Sequence, residues 1–382
     1  MKKIKNMTAM LLLFVVFFAV ASVRTLAAGE PEIGAKAAIL IDTHTKSVLY
    51  EKNMHERLPI ASMTKIMTLC LIFDAVEAGT LKLDDGILIS EHAKAIGGSH
   101  VFTELNEYYK AQDMIKSIII ASANDACIAM AEHLAGSEEG FVQKMNAKAQ
   151  ALGMKDTTFI NCTGMPVDGH VSSAYDVALM STELLGHSDY FKWSSVWMDQ
   201  LVHKGGRITE LTNTNRLVRF FDGCDGVKTG YTSEAKFCVS TTVKRGNMRL
   251  VSVIIGGETS QKRFDEARDL INYGFANYAL CEPVSRELEL APIPMEKSLS
   301  KYAEVKVNGH YAAIVPKGEE GNVEAIFDLP ETLTAPLAEG QEIGRIIIRK
   351  NGEELYSIPV ITANEYKEIT IGDIIGKLIE RW

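Results

Sequence analysis

The stretch GVKTGYTSEAKFCVSTTVKRGNMRLVSVIIG, residues 226–256, decides the fold. Phe237, Val239, Thr241 and Val243 alternate along one face, the Lys244-Arg245-Gly246-Asn247 cluster reads as a turn, and 248–256 is again β-like. The spacing therefore predicts a three-strand meander over 226–232, 237–243 and 248–256. Downstream, 265–278 reads as a helix. Upstream, helical patterns run from about 59 to 199, with loops at 97–98 and 161–171. Before them, AAILIDTHTKSVLYEKN (37–53) reads as a hairpin of two short strands around a polar turn. Strands at both ends with helices between them imply one antiparallel sheet built from both ends of the segment, with helices packed on it, an α+β fold.

Beyond this body, Pro283, Pro292 and Pro294 punctuate a linker, and 303–362 reads as β throughout, a small all-β domain with a turn at Lys350-Asn351-Gly352. The tail ITIGDIIGKLIERW puts Ile371, Ile374, Ile375, Leu378, Ile379 and Trp382 on one helical face and Asp373, Lys377, Glu380 and Arg381 on the other. Two readings of that tail stay open: a helix packed on the protein's own body or on a partner, and an interfacial membrane anchor over 371–382. Its charges are balanced rather than basic, and Gly372 and Gly376 weaken the helix.

The N-terminus has a basic start (Lys2, Lys3, Lys5), an apolar run over 10–20 and small residues to Ala28. This is the pattern of a secretory signal peptide cleaved near Ala27 or Ala28, with an uncleaved anchor as the alternative, and either places the working part outside the cytoplasm, at the outer face of the cytoplasmic membrane. The organisation is thus a leader over 1–28, a catalytic body over 29–281, a β domain over 282–363 and an amphipathic helix over 364–382. A net charge of −9 over 382 residues, with no basic stripe, argues against nucleic acid as a partner. The six cysteines are widely spaced without a C-x-x-C pair, and Cys70, Cys127, Cys238 and Cys281 sit in apolar or small-residue contexts. We read them as free thiols acting as compact hydrophobes, which suits a host living with little oxygen. The nine histidines are scattered with no H-x-x-x-H pair, so neither metal nor cofactor is expected, and His133 and His170 read as structural.

The stretch PIASMTKIMTLCLIF (59–73) carries the chemistry. Its helical part is apolar all round and so buried, yet it contains Lys65. Ser62 and Lys65 are three apart and share a helical face. The positive end of the helix dipole and burial both disfavour an ammonium there, so the pair reads as a hydroxyl nucleophile beside an amine able to take its proton. Alone, the motif is equally a serine cap and a snorkelling lysine, and a second S-x-x-K occurs at Ser233–Lys236. In KSIIIASANDACIAMAEHLAG (116–136), Ser122 and Asn124 stand two apart at a helix junction, placed either to cap a helix or to direct a hydroxyl and an amide into one cleft. Lys228, Thr229 and Gly230 begin a strand, where lysine and threonine suit a carboxylate and glycine admits a ligand backbone.

In this order, at separations of 60 and 106 residues, the three elements form the S-x-x-K, S-x-N, K-T-G set of the penicillin-recognising serine enzymes. Together with LPIASMTKIMT, IIIASANDA, GHVSSAYD and DGVKTGYT, the chain closely resembles the serine D-alanyl-D-alanine carboxypeptidases, the low-molecular-mass penicillin-binding proteins. The resemblance covers about 37–278 and extends more weakly through the β domain and C-terminal helix. It implies a β-lactamase-like fold and a chain that removes the terminal D-alanine from peptidoglycan stem peptides and is acylated by β-lactams. Ser62 would be the nucleophile and Lys65 the general base, with Ser122 and Lys228 relaying protons and shaping the field. Asn124 would hold the stem-peptide amide. Thr229 would bind the terminal carboxylate with help from Arg263, Gly230 would let the substrate backbone approach, and the N–H groups of Ser62 and Tyr231 would form the oxyanion hole.

Two residues depart from the family pattern. Tyr231 stands where some members have histidine, and Ala123 where close relatives often have glycine. The nearest rival reading is a β-lactamase of the same fold, which would need a glutamate in an E-x-x-L-N loop between the second and third elements. Here Glu104-Leu105-Asn106 precedes Ser122, and Glu210 has Thr214 four residues on instead of asparagine. A β-lactam-binding sensor without turnover is the rival from another class, and no signalling span follows the leader.

Overall fold

The structure, a computed structural model, describes residues 29–285 and 287–379; the leader over 1–28 lies outside the described residues. Five strands form the central sheet: β1 (Ala37–Asp42), β2 (Val48–Lys52), β3 (Cys224–Thr232), β4 (Lys236–Arg245) and β5 (Met248–Gly257), in the order β2-β1-β5-β4-β3 and antiparallel throughout. The hairpin and the meander thus join through β1 and β5, as the pattern predicted. β1 is buried at all six positions because both faces of the sheet are covered. Ala37, Ile39 and Ile41 enter the core on one face, and Ala38 and Leu40 the core on the other.

Helices fill both faces. The larger core takes α1 (Lys65–Glu77), α2 (Ala111–Ala121), α3 (Asn124–Ala135), α4 (Glu138–Ala151) and α5 (Ala174–Leu184); α6 (Ser260–Asn277) covers the other face. In α1, Ile66, Met67, Leu69, Cys70, Ile72 and Phe73 are at most 1% exposed, so the helix is a central member of the core. Each such side chain contributes about 1.5–3 kcal/mol of burial energy, which offsets the cost of carrying Lys65 in with them.

The sequence reading missed two short hairpins, Gly86–Leu88 with Tyr108–Lys110 and Met198–Val202 with Ile208–Thr212. The strands of the first pair are only three residues long and stand nineteen residues apart, too little for a period-2 signal. α6 starts at Ser260, five residues earlier than expected, because Thr259 caps it by accepting from the Lys262 N–H.

The C-terminal β domain has its own core, including Ile346, Ile348, Ile358 and Val360, built around a four-stranded sheet in which Glu342–Lys350 and Glu353–Thr362 are the central pair. Strand Tyr278–Cys281, continuous with α6, pairs antiparallel with Ala313–Pro316 and so ties this domain to the body. The terminal helix Ile371–Ile379 is capped by Thr370 and Asp373, whose side chains bond each other at 2.6 Å. Ile371, Ile374, Ile375 and Ile379 are all exposed on it, so none is buried against the described residues. Trp382 and its neighbours Glu380 and Arg381 lie outside the described residues. No helix among the described residues is long and apolar enough to cross a membrane.

All six cysteines are free. Cys70, Cys224 and Cys238 donate to the carbonyls of Met180, Gly226 and Ala235, behaving as buried donors. Titration of the denatured, unreduced protein with a thiol reagent is expected to find six thiols, and a lower count would contradict this arrangement.

Candidate functional site

The chain enters α1 through a 3-10 turn, Ala61–Thr64, which packs against edge strand β3. Ala61 has φ +49°, so the residue before Ser62 is held in the left-handed region by its surroundings. Those surroundings are glycines. A Cβ on Gly230 would lie 2.7 Å from the Ile60 carbonyl and 3.2 Å from the Ser62 nitrogen, and one on Gly164 would lie 1.9 Å from the Ala61 carbonyl. Two strips of bare backbone thus clamp the turn that carries Ser62.

Ser62 is half-buried, and Lys65 Nζ lies 2.9 Å from its Oγ, close enough for the hydroxyl to pass its proton to a neutral amine. Lys65 is fully buried and also donates to the Thr163 carbonyl at 2.6 Å. Burial pushes its pKa down, while the thiols of Cys127 and Cys162 push it weakly the other way. Lys228, 1% exposed, is lowered well below the usual lysine range, by burial first and then by the charges of Lys65 and Arg263. Two buried amines in one pocket cannot both hold protons cheaply, so the site favours one of them neutral.

That depression has a stability consequence. Below the ordinary lysine value of 10.5 and above the folded-state value, the unfolded chain binds more protons than the folded one, so stability rises with pH through that window. Lys65→Met should therefore be more stable than wild type at about pH 7, with the gap narrowing by about pH 9.5. Urea midpoints of the two proteins at both pH values check this.

The second element is a bent helix junction. Ser122 ends α2 in the left-handed conformation, with φ +62°, and its N–H bonds the Ser117 carbonyl. Ala123 follows at φ −63°, an ordinary conformation for any residue, so alanine in place of glycine carries no strain there. Asn124, 3% exposed, donates from Nδ2 to the Gly97 carbonyl at 2.7 Å, and its N–H bonds the Ser99 carbonyl. Its Oδ1 is buried with no hydrogen-bond partner among the described residues, an acceptor suited to an incoming N–H.

The third element lies along β3, an edge strand of the sheet. Thr229 donates its hydroxyl to Thr214 Oγ1 at 2.8 Å. Tyr231 is 58% exposed, its ring 4.5 Å from that of Phe237, so its side chain forms part of the rim. Arg263, expected beside the carboxylate, donates from Nη1 to the carbonyls of Gly230 (3.0 Å) and Cys238 (3.1 Å), with its guanidinium over the rings of Phe237 and Phe264. It braces β3 and adds positive field at Lys228. A groove of about 280 Å³ opens beside Ile60 and Ala61, bounded by the 164–171 loop, Thr232 and Glu234.

Sequence reasoning missed Thr163, whose carbonyl anchors Lys65, along with Thr214 and Gly164. Each acts through backbone or a lone hydroxyl, and none forms a motif. His170 Nδ1 accepts from the Ile160 N–H, its Nε2 bonds the Thr64 hydroxyl, and burial pushes its pKa down to about 4. His133 is exposed.

Known proteins share this sequence pattern and fold. Residues 24–259 match the D-alanyl-D-alanine carboxypeptidase model of peptidase family S11, and 281–368 match the penicillin-binding protein 5 C-terminal domain. The chain is 40% identical to D-alanyl-D-alanine carboxypeptidase DacF of Bacillus subtilis, covering 91% of this chain and 90% of that one. It is 34% identical to DacC of Escherichia coli, over 91% and 87%. Among solved structures, penicillin-binding protein 5 of Haemophilus influenzae superposes with a TM-score of 0.74 at 28% identity, covering 89% of this chain and 99% of that one. Ampicillin-bound penicillin-binding protein D2 of Listeria monocytogenes superposes with a TM-score of 0.58 at 30% identity, over 65% and 99%. The chain belongs to the S11 family of D-alanyl-D-alanine carboxypeptidases.

Proposed function

We propose that this protein is a serine-type carboxypeptidase that removes the terminal D-alanine from peptidoglycan stem pentapeptides and so limits cross-linking. The observation that carries the reading is the Lys65 amine, buried and depressed in pKa, 2.9 Å from the Ser62 hydroxyl. In this account the stem peptide lies against edge strand β3 as an added strand, its amide N–H on Asn124 Oδ1 and its terminal carboxylate at Thr229, in the field of Lys228 and Arg263. Lys65 takes the Ser62 proton as Oγ attacks the carbonyl between the two D-alanines. The oxyanion rests on the N–H groups of Ser62 and Tyr231. The proton passes through Lys65 and Ser122 to the departing D-alanine nitrogen, the C–N bond breaks, and an acyl-enzyme remains. Water, deprotonated by the same amine, then releases the shortened peptide and restores Ser62.

Penicillins would enter the same route and stop at the acyl-enzyme. Glu104 is tied to Lys94 and Arg207, and Glu210 is exposed on a short hairpin, so neither serves as a water-activating glutamate. The body over 29–281 would carry the reaction outside the cytoplasm after loss of the leader. The exposed isoleucines of the terminal helix would meet the outer face of the membrane.

The test is release of D-alanine from a diacyl-lysyl-D-alanyl-D-alanine peptide, with turnover of a chromogenic cephalosporin measured alongside. Steady D-alanine release with slow cephalosporin turnover supports the proposal. Rapid cephalosporin hydrolysis without D-alanine release would make the protein a β-lactamase, and covalent binding with neither turnover a sensor.

A further inference from the structure

We propose that His44, Glu282 and His310 form a binding site for a divalent zinc-class cation that pins the C-terminal β domain to the body. The three residues come from three parts of the chain. His44 lies in the β1–β2 turn, Glu282 directly follows the strand Tyr278–Cys281, and His310 precedes the strand Ala313–Pro316 that pairs with it. One ligand atom from each lies within 4.8 Å of the others. His310 Nε2 is 3.2 Å from Glu282 Oε1, and the two imidazole rings meet edge-on with centroids 5.3 Å apart.

The donor set is two imidazoles and a carboxylate, which suits zinc more than calcium or magnesium. Zinc bonds to such donors are about 2.0–2.2 Å long, so its tetrahedral ligand atoms stand about 3.4 Å apart, within the spread present here. The exposure of His44 leaves room for water as the fourth ligand. None of the three residues belongs to the Ser62–Lys65 site, so the cation would act on domain geometry and not on the reaction.

The surroundings hold the ligands in place. Asp42 Oδ1 accepts from the His44 N–H, the Thr45 N–H and the Thr45 hydroxyl, at 3.1, 2.7 and 2.8 Å, which fixes the turn. Asn247, in the β4–β5 turn, donates to Glu282 Oε2 at 2.8 Å and leaves Oε1 toward the histidines. Such outer contacts orient metal ligands and raise affinity.

Among the described residues, Asp74, Glu183 and His187 form a second such cluster. Lys148 already stands in it, 3.1 Å from Asp74 and 2.6 Å from Glu183, supplying the positive charge. No ligand spacing in the sequence could reveal the first cluster, because its members are far apart in the chain.

The experiment is zinc titration of the untagged, EDTA-treated protein by calorimetry at about pH 7.5, with melting temperature and D-alanine release followed in parallel. One zinc per chain is expected at micromolar or tighter dissociation constant. His44→Ala and His310→Gln should each weaken binding at least tenfold and abolish the zinc-dependent rise in melting temperature. Their metal-free melting and D-alanine release should match wild type. His187→Ala should leave zinc binding unchanged. Binding that survives both His44→Ala and His310→Gln, binding lost in His187→Ala, or no binding below millimolar zinc would overturn the proposal. Failure of D-alanine release with zinc binding intact would count against the carboxypeptidase reading alone.

Discussion

Replacing Lys65 by alanine and by arginine is expected to slow D-alanine release by the same large factor, about 10²–10⁴-fold, the usual contribution of a positioned general base. The equality is the informative part. Arginine keeps the positive charge and can reach the Thr163 carbonyl, but its guanidinium does not give up a proton at accessible pH and so cannot take one from Ser62. If the lysine acted only as a fixed charge beside the hydroxyl, arginine would retain much of the rate. Steady-state D-alanine release and the rate of penicillin acylation, measured on both variants, separate the cases. The depressed pKa adds a second mark: the wild-type rate should climb with pH on a limb whose midpoint lies below the ordinary lysine value of 10.5.

A second large effect is expected far from any motif. Gly164→Ala would bring a Cβ within 1.9 Å of the Ala61 carbonyl oxygen and 2.4 Å of its carbon, both backbone atoms, at a residue whose φ is +81°. Nothing flexible can give way, so the 161–170 loop must move off the nucleophile turn. About 3 kcal/mol of stability should go, within the range for overpacking combined with backbone strain. Activity should fall by at least the factor seen for Lys65→Ala, because Thr163, whose carbonyl anchors the amine, moves with its neighbour. Gly79→Ala is the control: its φ is +70°, but nothing lies within 4 Å of the added atom. It should lose only about 1 kcal/mol and keep its activity. Urea unfolding and D-alanine release on both variants test the contrast.

These two positions also show what sequence could reveal and what it could not. The sheet was legible because Phe237, Val239, Thr241 and Val243 alternate and because 37–41 is an unbroken apolar run, a pattern that sheet burial on both faces produces. Ser62 and Lys65 were legible because a lysine inside an apolar helix demands an explanation. Thr163, Gly164 and Thr214 were not. They reach the site through main chain or one short hydroxyl, and long-range placement leaves no local period. Arg263 came only from the resemblance, and no sequence pattern says that its guanidinium is spent on the carbonyls of Gly230 and Cys238. The cation cluster left no trace, since His44, Glu282 and His310 meet only once the β domain has docked.

The central claim is that the Ser62 oxygen itself carries the acyl group. Its most direct test is intact-mass measurement after brief exposure to benzylpenicillin, followed by peptide mapping, on wild type and on Ser62→Ala. One adduct per chain, mapped to the peptide containing Ser62 and missing from the variant, is the predicted result. An adduct that persists in Ser62→Ala, or one that maps to Ser122 or to a cysteine, would contradict the account.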